Sequence, residues 1–203
     1  LQRIRFNRNV RLFEPPLPEG VPEKLEKIIA EGGIEKNDTV LDVGSGTGIL
    51  VPLIRNYDPS RIYACDLAEN MLAQLKKNYP EVRTIRADVK ELELPDESVD
   101  VVFINACYPN IADKTEAFLN IARMMKTGGR MVVSHPLGKA FIEKLKRNAP
   151  YPLDQFPDKS KAEELFRRFG FKIRKFADEE DLYILATEKI TGLRFSTGTP
   201  CQQ

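Results

Sequence analysis

The chain has 203 residues and a mass of 23.1 kDa, enough for one domain with a real hydrophobic core. Its 31 Lys and Arg nearly balance 30 Asp and Glu, so the basic excess with which nucleic-acid binders neutralise phosphates is lacking, and no nucleic-acid partner is expected. With 42% apolar and 30% charged residues the chain is not a disordered one. No apolar run approaches the ~20 residues that span a bilayer. Cys65, Cys107 and Cys201 lack the spacing of a zinc site or a disulfide framework, so no metal is expected. Nothing in Leu1–Arg5 resembles the apolar stretch of a signal peptide, which makes the cytoplasm the expected location.

Residues 1–21 mix Arg3, Arg5, Arg8 and Arg11 with Ile4, Phe6, Val10, Leu12 and Phe13, then break on prolines. They read as an arm over the domain, or a lid. From Pro22 the pattern turns helical, with Leu25, Ile28 and Ile29 on one face and Gly32-Gly33 as the stop. Thr39–Val43 reads as a buried strand running into Gly44-Ser45-Gly46-Thr47-Gly48. A helix starts near Gly48, because Pro52 fits only a first turn. A second strand over 61–65 leads to a helix with Met71, Leu75 and Tyr79 in register. A third strand covers 82–86. The fourth, Val99–Ile104, is almost continuously apolar, as parallel strands covered on both faces are.

Asp113 with Glu116 three residues on is a capping box for the next helix, whose apolar face is Phe118, Leu119, Ala122 and Met125 and which Gly128-Gly129 closes. Strand five is Arg130–Ser134. Residues 137–158 form an insertion in which Phe141, Leu145, Tyr151, Leu153 and Phe156 supply the apolar surface of a lid. A second capping box, Ser160 with Glu163, opens a helix packed through Ala162, Leu165, Phe166 and Phe169. Two final strands, 171–176 and 182–188, flank an acidic turn too short for a parallel crossover, so they pair as a hairpin. The expected fold is α/β and Rossmann-like: a seven-stranded, mostly parallel sheet with one antiparallel strand and helices on both faces. The domain spans 22–189, and 190–203 is a tail.

The glycine loop after the first strand lets backbone approach a ligand closely, since no side chain intervenes and positive φ is permitted. A nucleotide-type ligand then sits at the carboxyl ends of the strands. Asp66 ends the second strand, where a carboxylate can accept both hydroxyls of a ribose. Asp88 follows the third, where it can accept from the exocyclic amine of adenine. Taken singly, each aspartate also reads as a loop cap. A dinucleotide-binding dehydrogenase needs a third glycine at position 49, which is Ile49.

Val40–Gly48, Asp66, Ala87-Asp88, the run Leu94–Phe103 and Met125–Arg130 together resemble the class I S-adenosylmethionine (SAM)-dependent methyltransferases, in the ubiquinone/menaquinone methyltransferase-like (type 11) branch. The resemblance implies SAM as cofactor and S-adenosylhomocysteine as product. It implies that the backbone of Gly44, Ser45, Gly46, Thr47 and Gly48 cradles the methionine half. Asp42 supports the loop or meets the amino group. Asp66 takes the ribose, with Leu67 and Met71 beside the adenine, and Asp88 with Val89 reads its amine. Asn105 contacts the methionine moiety.

Methyl transfer from a sulfonium is an in-line displacement, so alignment and exclusion of water are the main demands and no fixed triad is expected. His135, the sole histidine, suits a general base by its ordinary pKa of about 6.5, or packs on a helix. Tyr108 orients a substrate or walls the pocket. Cys107 suggests a thiol or metalloid acceptor, as in arsenite methyltransferases, but those carry further cysteines ahead of the glycine loop and this chain has none. The expected acceptor is a small apolar or aromatic metabolite. A protein or RNA acceptor, or a non-catalytic SAM-binding scaffold, are the alternatives.

Overall fold

The structure is a computed structural model describing residues 4, 7 and 16–190. The tail expected beyond Ile190 and most of the arm expected over 1–21 lie outside the described residues. In chain order the elements are α1 (Val21–Gly32), β1 (Thr39–Val43), α2 (Val51–Arg55), β2 (Arg61–Asp66), α3 (Glu69–Asn78), β3 (Arg83–Arg86) and β4 (Val99–Asn105). There follow α4 (Lys114–Met124), β5 (Met125–His135), α5 (Gly138–Asn148), α6 (Lys159–Arg167), β6 (Phe171–Glu179) and β7 (Leu182–Lys189). Single 3₁₀ turns lie at Val89–Glu91 and Tyr108–Asn110.

The strands form one sheet in the order β3-β2-β1-β4-β5-β7-β6. β7 slots between β5 and β6 and runs antiparallel to both, while the remaining neighbours pair in parallel. The expected sheet is therefore present, seven strands with one reversed. Successive residues of a strand point to opposite faces, and the central strands are apolar on both. On one face Leu41, Val102, Ile104, Met131, Val133, Tyr183 and Leu185 pack with Phe118 and Ile121 of α4 and Phe166 of α6. On the other, Val40, Val101, Phe103, Val132 and Ile184 pack with Leu25, Ile28 and Ile29 of α1 and Ile54 of α2. The two cores clamp the sheet rigidly and leave its strand ends to carry the loops.

Four local expectations need correction. α6 begins at Lys159, and its cap is Asp158, whose carboxylate accepts from Lys161 N at 2.9 Å; the Ser160–Glu163 box does not form. Gly128-Gly129 do not close α4, which ends at Met124. Instead they sit in a bulge of β5 between the pairs Val99–Met125 and Val101–Arg130, and Gly128 takes φ +83. A parallel pairing starts one residue after the helix because that bulge absorbs the mismatch. The helix after the glycine loop spans only Val51–Arg55, with Pro52 in its first turn as expected. β6 runs on through Ala177–Glu179, leaving Glu180-Asp181 as the turn. Asp113 does cap α4, its Oδ1 accepting from Glu116 N at 3.2 Å.

Candidate functional site

β1 and β4 are sheet neighbours, but the chain leaves them toward opposite edges. That reversal opens a crevice at their carboxyl ends. Every loop of interest emerges there: 44–48 after β1, 66–68 after β2, 87–91 after β3, 105–110 after β4 and 135–138 after β5.

The glycine loop hangs from the end of β2. Gly44 N and Ser45 N both donate to Cys65 O, at 2.8 and 3.2 Å, and Gly46 N donates to Asp66 Oδ2 at 2.9 Å. The other oxygen of Asp66 accepts from Ala68 N at 2.7 Å. Asp66 thus realises its loop-capping reading, and the amide of Leu67 adds to the two that hold its carboxylate. Gly44, Gly46 and Gly48 take φ of +69, +54 and +90, the left-handed region that favours glycine. A side chain at Gly44 would lie 2.2 Å from Cys107 Sγ, so Cys107 closes the loop from the β4 side. At Gly46 a side chain would meet nothing within 4 Å, so the loop is open there.

Two polar atoms in this cradle are buried without a partner, Asp42 Oδ2 and Ser45 Oγ. Native interiors seldom leave such atoms unpaired, so they mark a place built for a ligand. Burial, and then the neighbouring Asp66, push the Asp42 carboxyl up to about 7. Burial also raises Asp66, although the amides of Ala68 and Gly46 pull it back. Thr47 is buried beside them.

Around the rim, Leu67 is exposed, and Met71 and Val89 are buried at the starts of α3 and of the first 3₁₀ turn. Asp88 caps that turn, accepting from Lys90 N at 3.2 Å. The loop-capping reading of Asp88 is therefore realised, with its second oxygen left for other use. Asn105 ends β4 and accepts from Ser134 Oγ at 3.0 Å, which ties the ends of β4 and β5 together. Asn7 meets the same rim: its Oδ1 accepts from Asn70 N at 2.9 Å, and its carbonyl from Asn70 Nδ2 at 3.1 Å. No pattern in the sequence signalled that pairing.

His135 ends β5 and is buried between Phe141 and Phe156, with ring centroids 5.3 and 6.0 Å away. Its Nδ1 accepts from Leu137 N at 3.1 Å, and burial lowers its pKa to about 4. At neutral pH the ring is uncharged, with the proton on Nε2 implied by that bond. Tyr108 stacks on Phe156 at 5.3 Å, and Lys114 Nζ lies 4.8 Å from its centroid. Burial pushes its phenol up to about 12.

Beside Tyr108 a cavity of about 520 Å³ opens between α6 and the 155–158 loop. Phe156, Pro157 and Leu165 form its apolar side, and Lys139, Lys161, Glu164 and Arg168 its polar rim. Sequence reading named Phe156 and Leu165 as core and lid residues, and missed that they share a cavity with Tyr108. The loop is anchored to the turn after β4: Asp154 N donates to Pro109 O at 3.1 Å, and Asp154 pairs with Lys114. Among the described residues no cluster of His, Cys, Asp and Glu could hold a metal ion. No described helix is long and apolar enough to cross a membrane.

Comparison with known proteins bears on the family and the fold. A family model described as a methyltransferase domain matches residues 41–133. An uncharacterized methyltransferase of Schizosaccharomyces pombe is 31% identical, over 82% of this chain and 67% of its own length. A ubiquinone/menaquinone biosynthesis C-methyltransferase of Vibrio parahaemolyticus is 28% identical, over 74% of this chain and 62% of its own, so the chain spans less than two thirds of that relative. Among solved structures, the complex between the Haloferax volcanii Trm112 methyltransferase activator and a putative methyltransferase matches with TM-score 0.74 and 17% identity, covering 83% of this chain and 89% of that one. At that identity the likeness is one of fold.

Proposed function

The chain belongs to the class I SAM-dependent methyltransferases, and from that membership we propose that it methylates a small apolar or aromatic metabolite at the ends of β4 and β5. SAM is its cofactor, and the cradle fits it: two orphaned buried polar atoms and a loop open at Gly46 face the place where the amino-acid half belongs. When bound, SAM supplies a methyl group already activated by the sulfonium. Asp42, Ser45 and the 44–48 backbone hold the methionine half. Asp66 takes the ribose hydroxyls, with Leu67 and Met71 at the adenine. Asp88 and Val89 meet the adenine amine, and Asn105 meets the methionine moiety from the β4 side.

The observation that carries the acceptor reading is the cavity beside Tyr108. Cys107 touches Gly44 and the next residue lines the cavity, so one dipeptide joins cofactor loop and acceptor space. Its volume falls in the range of small-molecule pockets. Tyr108, stacked on Phe156 and keeping its proton, walls this space. His135 has committed Nδ1 to Leu137 and presents Nε2–H, so it acts as a hydrogen-bond donor that positions the acceptor, in place of the general base expected of its ordinary pKa. Residues 155–158, the end of the 137–158 segment expected as a lid, line this space.

The test is methyl transfer from methyl-labelled SAM into fractionated cell extract. Label in the small-molecule fraction, with release of S-adenosylhomocysteine, is expected; label confined to protein or RNA, or none at all, sinks the reading. Tyr108→Ala should raise KM for that acceptor about tenfold or more while leaving SAM affinity within about twofold.

A further inference from the structure

Among the described residues, Asp42 stands in a group of acidic side chains with no cation paired to it. It is 2% exposed at the end of β1, and its Oδ2 has no hydrogen-bond partner. On β2, Asp66 faces it, its oxygens holding the amides of Gly46 and Ala68. Cys65 on β2 donates to Ala87 O, and burial keeps both its thiol and that of Cys107 protonated at neutral pH. Asp88, after β3, adds a negative charge felt at Cys65. On β4 the register partner of Asp42 is Phe103, which is apolar. Among the described residues, the one ammonium felt in this neighbourhood is Lys114, at Cys107, and it is already committed to Ile111 O and Asp154.

An isolated buried carboxylate is costly, and two that face each other do not both ionise readily. A bound cation changes the balance. SAM carries a sulfonium and an ammonium against one carboxylate, while its product has lost the sulfonium charge.

We propose that Asp42 is protonated before the cofactor enters and releases that proton to solvent when the cationic cofactor is bound. Cofactor binding is then proton-linked, and the site prefers the sulfonium over the thioether product. The O–H bond of the Asp42 carboxyl breaks, the proton goes to water, and the carboxylate remains beside the ligand's positive charge. After methyl transfer the sulfonium is a thioether, one of the two positive charges that held Asp42 ionised is gone, and Asp42 takes a proton back from solvent when the product leaves. The burial that lifts Asp42 to about 7 places this exchange in the neutral range. The inference rests on SAM being the cofactor.

Isothermal titration with SAM, in pairs of buffers that differ in ionisation enthalpy, counts the protons. The wild type should release about 0.9 proton per SAM at pH 6 and about 0.1 at pH 8, beyond what Asp42→Asn releases under the same conditions. The wild-type affinity, divided by that of Asp42→Asn to cancel the ligand's own amino group, should fall about tenfold from pH 8 to pH 6. The preference for SAM over S-adenosylhomocysteine should shrink in the variant. Equal proton counts in wild type and variant overturn the inference while leaving the cofactor reading intact. Failure of the wild type to bind SAM at any pH overturns both.

Should Asp42→Asn not fold, the infrared difference spectrum of the wild type decides the matter. Loss of a protonated-carboxyl band on adding SAM is expected, and its absence overturns the inference.

Discussion

At the scale of single residues, the three loop glycines are not equivalent. A methyl at Gly44 would strike Cys107 Sγ at 2.2 Å, whereas one at Gly46 would point into open space. Gly44→Ala should therefore cost roughly 2–4 kcal/mol of folding stability, from strained φ and overpacking together. Gly46→Ala should cost about 1 kcal/mol, for its φ alone, and the proposed cradling of SAM by this loop predicts weaker SAM binding as well. Urea unfolding and SAM titration of both variants check the pair; the reverse ordering in urea, or unchanged SAM affinity in Gly46→Ala, contradicts this picture of the loop. Asp66→Ala removes both the loop's tether and the ribose acceptor, so SAM affinity should drop about tenfold or more, and unchanged affinity would remove the ribose role. Asp42, Asp66, Asp88 and Asn105 were legible in the sequence because each lies at or just past the end of a strand, and strand ends on one side of a parallel sheet converge. The contact between Cys107 and Gly44 was not, because it needs β1 and β4 to be sheet neighbours.

At the scale of elements, helix signals in the sequence gave existence more firmly than ends. Two acceptors lie near the start of α6, Asp158 and Ser160, and both precede a donor three residues on. The structure uses Asp158, because the 155–158 loop arrives extended and turns helical at Lys159. Asp158→Ala should lower the urea midpoint, while Ser160→Ala should leave it in place; equal effects would contradict the cap assignment. Gly128-Gly129 posed the same ambiguity, since a glycine pair suits a helix stop and a strand bulge equally well. The close backbone of Asp100 and Lys126, 2.9 and 2.8 Å from a side chain placed at Gly129, shows why glycine stands in the bulge. α4 also stitches the segment carrying Val89: Asn120 Nδ2 donates to Val89 O and Leu92 O at 2.8 and 2.9 Å. A helix on one face thereby fixes the turn that Asp88 caps.

At the scale of the whole molecule, two buried groups pull stability in opposite directions as pH changes. His135 has a folded pKa of about 4 against an ordinary 6.5, so the unfolded chain holds the extra proton in that window. Its contribution is complete above about 6.5 and is lost as pH falls toward 4. Asp42, raised from 3.8 to about 7, holds a proton that the unfolded chain lacks, so its contribution is lost as pH rises through the folded value. Asp66 is shifted in the same sense as Asp42. Between about pH 4 and 6.5 the slope from His135 opposes that from the raised aspartates in the protein without SAM. His135→Gln should leave stability falling with rising pH, and Asp42→Asn should leave it rising, each by up to about 1.4 kcal/mol per pH unit. Urea titrations at stepped pH measure both, and parallel slopes in the two variants would contradict the assignment of either group.

Local pattern alone determined the α/β class, the strands and helices, the glycine loop, the acidic residues at successive strand ends and the closing hairpin. These follow from periodicities of two and 3.6 residues and from turn chemistry, which act within a few residues of each other. Tertiary structure alone decided the lateral order of the strands, and with it which loops share the crevice. It also decided that His135 is buried with Nδ1 occupied, that Asp66 holds the Gly46 amide, and that Tyr108, Phe156 and Leu165 line one cavity. Burial and partners are properties of neighbours distant in sequence. A side chain's charge and hydrogen-bonding role depend on them, so residue type named the glycine loop's companions but could not give their protonation states.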